Sequence, residues 1–215
     1  GGEARAAIEA AARERGATIE WLGRSARYTT RGLGVEGTEF KLKTASYSGT
    51  LRTPLLGRHQ ARNAALAALA AERLLEGQPR EAIASAIERG IAETRWPARA
   101  ELVREHPPLL VDVAHNAEGA AALAETVAAL FPGRRVAFVV ALSRDKAHAE
   151  FLRRLGRVAT RFYLTQFGGE RATPARTLLA AAPSRHITCE AIAALPDAIR
   201  RALEWAHEAD GVVVV

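Results

Sequence analysis

Three short clusters hold the side chains whose types and spacing could do chemistry. Leu109-Leu110-Val111 reads as a strand running into Asp112-Val113-Ala114-His115-Asn116, with a helix expected from Ala117. A carboxylate at a strand end can accept hydrogen bonds from ribose hydroxyls, while His115 and the exposed helix N-terminus can face an anion. Taken alone, Asn116 reads as an ordinary N-cap. A second cluster, from Leu55 through Gly57, His59, Gln60 and Asn63 to Ala64, leads from an extended segment into a helix with a polar first turn. Asn63 could offer its amide to a purine there, and a helix start satisfying its own backbone is the simpler alternative. Third, Trp96-Pro97-Ala98-Arg99 stands at a presumed interdomain hinge, where Arg99 is either a phosphate contact or an ordinary surface arginine.

Other signals drop out. Gly32-Leu33-Gly34-Val35-Glu36-Gly37 fits G-x-G-x-x-G, but that fingerprint must open a helix, whereas Thr38 to Lys43 alternates like a strand, so it reads as a turn. The chain has no phosphate-binding G-x-x-x-x-G-K-S/T loop, G-x-S-x-G elbow or H-E-x-x-H helix. Cys189 stands alone, which removes an intrachain disulfide and a cysteine metal cluster. Most self-contained catalytic classes go with them.

The elements that must position the clusters follow from pattern. Glu3 to Arg15 is an alanine-rich helix capped by Gly16. Thr18 to Leu22, Tyr28 to Thr30, Glu39 to Ala45 and Thr50 to Thr53 read as short strands separated by glycines, an antiparallel patch. Arg58 to Leu75 and Pro79 to Ile91 are helices, and Pro97 marks a boundary. Beyond it, apolar strands at Leu109 to Val113, Val136 to Leu142, Phe162 to Thr165, His186 to Cys189 and Val212 to Val215 alternate with helices at Ala117 to Leu130, Lys146 to Leu155, Pro174 to Ala182 and Asp197 to His207. Buried parallel strands with crossover helices make this half a doubly wound α/β domain, mostly parallel, preceded by helices and a small antiparallel β patch. Its polar loops at Asp112 to Asn116, Ser143 to Lys146 and Gln166 to Arg171 should then share one rim.

Composition agrees with a globular chain: 215 residues, 48% hydrophobic and 25% charged. No run of about 18 apolar residues occurs, which argues against a membrane span and for the cytosol, as does the solitary cysteine. The net charge of +6 comes mainly from arginines dispersed among acids, which favours a solvated surface over nucleic acid. The chain opens Gly1-Gly2, contains no methionine and stops within the apolar run ending at Val215, so both ends look cut.

Together the clusters resemble, in order and spacing, the folylpolyglutamate and dihydrofolate synthases of the Mur ligase superfamily, over nearly the whole chain. There a G-x-H-Q-x-x-N-A helix closes the central ATPase domain, a W-P-G-R segment leads to the C-terminal domain, and D-x-A-H-N-P forms its first βα turn. Asp145-Lys146 resembles the family's D-K-D and Arg171-Ala172 its R-A. The chain departs at Ala98 for glycine, Ala117 for proline and Ala147 for the second aspartate.

The resemblance implies a division into residues 1–97, the end of the ATPase domain, and 98–215, a glutamate ligase domain. It implies ATP contacts at Asn63, Arg99 and Asp112, and places His115 and Lys146 near the transferred phosphate and the incoming glutamate. The implied reaction is ATP-dependent: a folate or dihydropteroate carboxylate is phosphorylated and the amine of L-glutamate attacks the acyl phosphate, part of folate biosynthesis and one-carbon metabolism. ATP and Mg2+ are the implied cofactors, with the phosphate loop, the metal ligands and a modified lysine outside this chain, which alone should be inactive. The expected complete protein is a cytoplasmic monomer without nucleic-acid or membrane partners. Rival readings are another Mur-type ligase, acting on a cell-wall precursor, and a noncatalytic basic module binding nucleic acid.

Overall fold

The computed structural model describes residues 2–183 and 186–215. Helix α1 (Gly2–Glu14) buries none of its residues. Gly16 (φ 61) turns the chain out of it, and the amide of Ala17 reaches back 2.8 Å to the carbonyl of Ala12, the bond of a glycine C-cap.

Three strands follow, β1 (Arg27–Gly34), β2 (Gly37–Lys43) and β3 (Ser48–Thr53), forming an antiparallel sheet in that order. Its first hairpin turns at Val35-Glu36, between Gly34 and Gly37, so the G-x-G-x-x-G match is a β-turn. The expected strand at Thr18 to Leu22 does not form. Only an isolated bridge joins Leu22 to Ala26, because the chain bends at once and the amide of Gly23 takes the carbonyl of Ala26 at 2.7 Å. Helices α2 (Arg58–Leu74) and α3 (Arg80–Glu93) cover one face of the sheet. Ala61, Ala65 and Ala68 of α2 and Ile83, Ile87 and Ile91 of α3 meet Phe40, Leu42 and Leu51 in a dry cluster.

The second sheet contains β4 (Glu101–Glu105), β5 (Pro108–Val111), β6 (Val136–Val140), β7 (Arg161–Gln166), β8 (Thr188–Ala194) and β9 (Val212–Val214), in the order β4-β5-β9-β6-β7-β8. All its pairings are parallel except β4 with β5. The antiparallel edge β4 is an addition to the sequence expectation. Its Glu101, Arg104 and Glu105 are exposed and its register with β5 shifts past Leu102, so it lacks the apolar run of its neighbours.

Helices α4 (Ala117–Leu130), α5 (His148–Leu155) and α6 (Ala175–Ala180) pack on one face through Leu123, Val127, Leu152 and Leu178. On the other face, α7 (Leu195–Ala209) packs through Ala198, Ala202 and Trp205 against Val139, Tyr163 and Val213. The chain steps outward from β5 to β8 and then returns to insert β9 between β5 and β6. Right-handed crossovers therefore require α7 on the opposite face, and the direction reverses beside Asp112, where such sheets leave a crevice.

Leu56, immediately before α2, lies 4% exposed in the core of the parallel sheet rather than with its sequence neighbours. Gly57 (φ 120) makes the turn from that anchor into α2. A Cβ there would stand 2.5 Å from the His59 ring and 2.8 Å from Thr126 Oγ1 of α4, so glycine is required on grounds of space as well as backbone angle. The buried Thr38 hydroxyl fixes the same turn, donating to the Leu55 carbonyl at 2.8 Å and accepting from the Gly57 amide at 3.1 Å. Among the described residues, no helix is long and apolar enough to cross a membrane.

Candidate functional site

A cavity of about 570 Å³ opens between α2, α3 and the segment that joins α3 to β4. Its wall is assembled from small side chains at helical spacing, Ala64, Ala67, Ala68 and Ala71 on α2, opposed by Ala86, Ile87 and Gly90 on α3. Such a surface is flat and apolar because the residues are small, so there is room for a planar ligand. Polar groups sit at one end: His59, Gln60, Asn63 and Arg99, with Trp96 on the lip. Trp96 is 62% exposed, and the Arg99 guanidinium lies 6.0 Å from its ring centre. The Asn63 amide donates to Gln60 Oε1 at 3.0 Å, which orients Asn63 and leaves its carbonyl oxygen directed by that bond.

Asp112 stands beside this end and joins it to the parallel sheet. One carboxylate oxygen accepts the amide of Ala114 at 2.6 Å and the other the amide of Ala100 at 2.7 Å. Each oxygen keeps a second lone pair for a hydroxyl ligand, so the carboxylate is fixed in place without being consumed. The backbone it holds is unusual: Ala98 (φ 56) and Ala100 (φ 50) both adopt the left-handed conformation that side chains disfavour. Three bonds keep them there, from the Ala98 amide to Glu101 at 2.8 Å, from the Val113 amide to the Ala98 carbonyl at 3.0 Å, and from the Ala100 amide to Asp112. Arg99 is thereby presented between two constrained residues.

Burial lowers the pKa of His59 from its ordinary value, with Asp112 opposing and Arg99 reinforcing that shift. Its imidazole is therefore mostly neutral near pH 7, and its neighbours show that the first turn of α2, the Arg99 segment and the Asp112 strand end converge.

Of the residues expected from sequence, Asn63 and Arg99 line this one cavity, and Asp112 adjoins it through the Ala100 segment. His115 is exposed on the βα turn with Nδ1 3.0 Å from the Val113 carbonyl; that carbonyl can only accept, so Nδ1 carries a proton. Asn116 caps α4, its Oδ1 accepting the Gly119 amide at 2.7 Å. Lys146 lies on the neighbouring rim loop, paired with Asp145 at 2.9 Å, and Asp145 approaches Arg171 at 4.0 Å. Neither His115 nor Lys146 lines the cavity. His59, Gln60 and Trp96 do, although the motifs that contain them assign them no role. For His59 and Gln60 the signal is spacing, since residues four and three before Asn63 on a helix share its face, whereas Trp96 lies off that helix and has no such signal. Among the described residues, no group of three or more His, Cys, Asp or Glu side chains could hold a metal ion.

A family described as "Mur ligase, glutamate ligase domain" matches residues 98–215. The dihydrofolate synthase/folylpolyglutamate synthase of Bacillus subtilis is 38% identical over 143 residues, covering 66% of this chain and 33% of that one. A Mycobacterium tuberculosis folylpolyglutamate synthase solved with ADP superposes with a TM-score of 0.85 at 27% identity, over 97% of this chain and 48% of that one. A bifunctional folylpolyglutamate synthase/dihydrofolate synthase with Mn, AMPPNP and L-glutamate bound gives 0.76 at 27% identity, over 97% of this chain and 47% of that one. The chain thus spans half or less of the length of these relatives.

Proposed function

Because the chain belongs to the Mur ligase family and corresponds to the C-terminal portion of folylpolyglutamate synthases, we propose that it supplies half of an ATP site and the amino-acid domain of such a ligase. The complete enzyme adds L-glutamate to a folate or dihydropteroate carboxylate through an acyl phosphate. Residues 1–97 then close the ATPase domain, and residues 98–215 form the glutamate ligase domain. One observation carries the reading: Asn63 and Arg99, far apart in sequence, line one largely apolar cavity of about 570 Å³, and Asp112 is hydrogen-bonded to the segment that carries Arg99.

The chemistry divides among these residues. A free carboxylate would have to expel an oxide, whereas an acyl phosphate expels phosphate, so the enzyme's work is to gather and neutralise anionic groups. The alanine wall takes the base, Asn63 reads its edge, and the fixed Asp112 carboxylate accepts from ribose. Arg99 faces the phosphates, His115 positions the acceptor, and Lys146 meets the incoming amino acid. A divalent ion would add charge neutralisation, and among the described residues no cluster of three or more His, Cys, Asp or Glu side chains stands ready to hold it. On this reading the chain alone does not turn over and the enzyme works in the cytoplasm as a monomer without nucleic acid.

Arg99→Ala tests the reading in a complete enzyme carrying this chain. Removing a charged hydrogen-bond donor is expected to raise the KM for ATP roughly 10-fold or more, with a fall in turnover. Unchanged values for both sink the nucleotide assignment.

A further inference from the structure

We propose that His148 is a positioning residue that locks together the two rim loops carrying Lys146 and Arg171, so that both cations can meet the carboxylates of the amino-acid substrate. This rests on the ligase reading above.

The loop after β6 and the loop after β7 are separate in sequence but stitched side by side. The Arg144 amide donates to the Arg171 carbonyl at 2.9 Å and the Thr173 amide to the Leu142 carbonyl at 2.9 Å. The Arg144 guanidinium adds a bond to the Ala172 carbonyl at 3.0 Å. His148, in the first turn of α5, closes the gap between them. Its Nε2 lies 2.9 Å from the Ser143 carbonyl on one loop and 3.1 Å from the Thr173 hydroxyl on the other. A carbonyl only accepts, so Nε2 bears the proton, and the single N–H is shared between the two loops. Thr173 is 1% exposed, which makes it a fixed point. The Ser143 carbonyl also accepts the Lys146 amide at 3.2 Å, so the imidazole acts on the turn that presents Lys146.

The held groups suit a dicarboxylate ligand. Lys146 and Arg171 flank the one carboxylate of Asp145. Two cations around one anion leave a positive excess, and the Arg171 side chain is 81% exposed. A flexible lysine loses rotamer freedom when a ligand fixes it, so a rigid backbone beneath it reduces what binding must offset.

His148→Leu removes the N–H while keeping bulk, and His148→Gln retains an N–H at similar reach. In a complete enzyme, His148→Leu is expected to raise the glutamate KM roughly 3- to 10-fold, with kcat and the KM for ATP within about twofold, and His148→Gln to recover most of the loss. An unmoved glutamate KM, an equal loss in both variants, or a fall in kcat alone overturns the proposal. An unsubstituted enzyme with no glutamate-dependent ADP release is a failure of the ligase reading instead. In that case, or where His148→Leu does not fold, nitrogen-15 NMR of this chain decides. The Nε2–H tautomer of His148 is expected, and the Nδ1–H tautomer overturns the clamp.

Discussion

The cavity between α2 and α3 and the rim of the parallel sheet are built on opposite principles. The cavity wall consists of alanines, two isoleucines and a glycine on two rigid helices, and its shape exists before any ligand arrives. The rim consists of charged side chains on loops, exposed or half-buried and cross-tied by backbone bonds. A preformed apolar slot supplies affinity through area removed from water, whereas cations on stitched loops supply orientation and charge. Changes to the slot should therefore act through volume, and changes to the rim through charge and hydrogen bonding.

The largest effect that could break this contrast is steric. Ala67 lines the cavity and its side chain is exposed, so Ala67→Phe fills the slot without disturbing a core. ADP binding to a complete enzyme carrying this chain is expected to weaken roughly 10-fold or more by calorimetry, with an unchanged circular dichroism spectrum. Retained affinity would mean that the alanine wall is not the base site. A smaller effect lies where the two regions meet. Ala98 holds a positive φ, so Ala98→Gly should stabilise the chain by about 0.5–1 kcal/mol in urea unfolding, the left-handed penalty exceeding the entropy cost of glycine. A lower midpoint would show that the alanine methyl packs usefully.

The smallest concerns pH. Burial depresses His59 from its ordinary 6.5, so the unfolded chain binds a proton that the folded chain resists. That contribution is complete above about 6.5 and is lost as pH falls from there toward the folded value. Urea midpoints measured from pH 7 to pH 5 should fall less in His59→Gln than in the parent chain. Equal slopes would remove His59 from the balance.

Legibility in the sequence followed the same divide. Helices α2 and α4 and the strands β6 and β9 were readable because their periodicity is strong and their apolar runs unbroken. β4 was not, since an edge strand with one half-buried residue, Leu102, has almost no pattern to read. Thr18 to Leu22 had alternation but no partner strand, and pairing is decided by tertiary structure. In the site, Asp112 and Asn63 stood out as polar residues at element ends. The slot did not, because alanines spread over two helices become a surface only when the helices pack. His148 is silent in the sequence for a similar reason: its partners Ser143 and Thr173 lie on different loops, and only the fold brings them within reach of one nitrogen.

Leu56 has a mechanical consequence. Because this side chain is sunk in the second core while the next residues begin a helix of the first, the two sheets are riveted at a second point besides the Trp96–Arg99 crossing. Swinging them apart would extract a buried leucine into water at a cost of about 2 kcal/mol, which holds a separated arrangement to roughly a few per cent of molecules at equilibrium. A joint with two attachments does not swing freely, so Asn63 and Asp112 travel as one body.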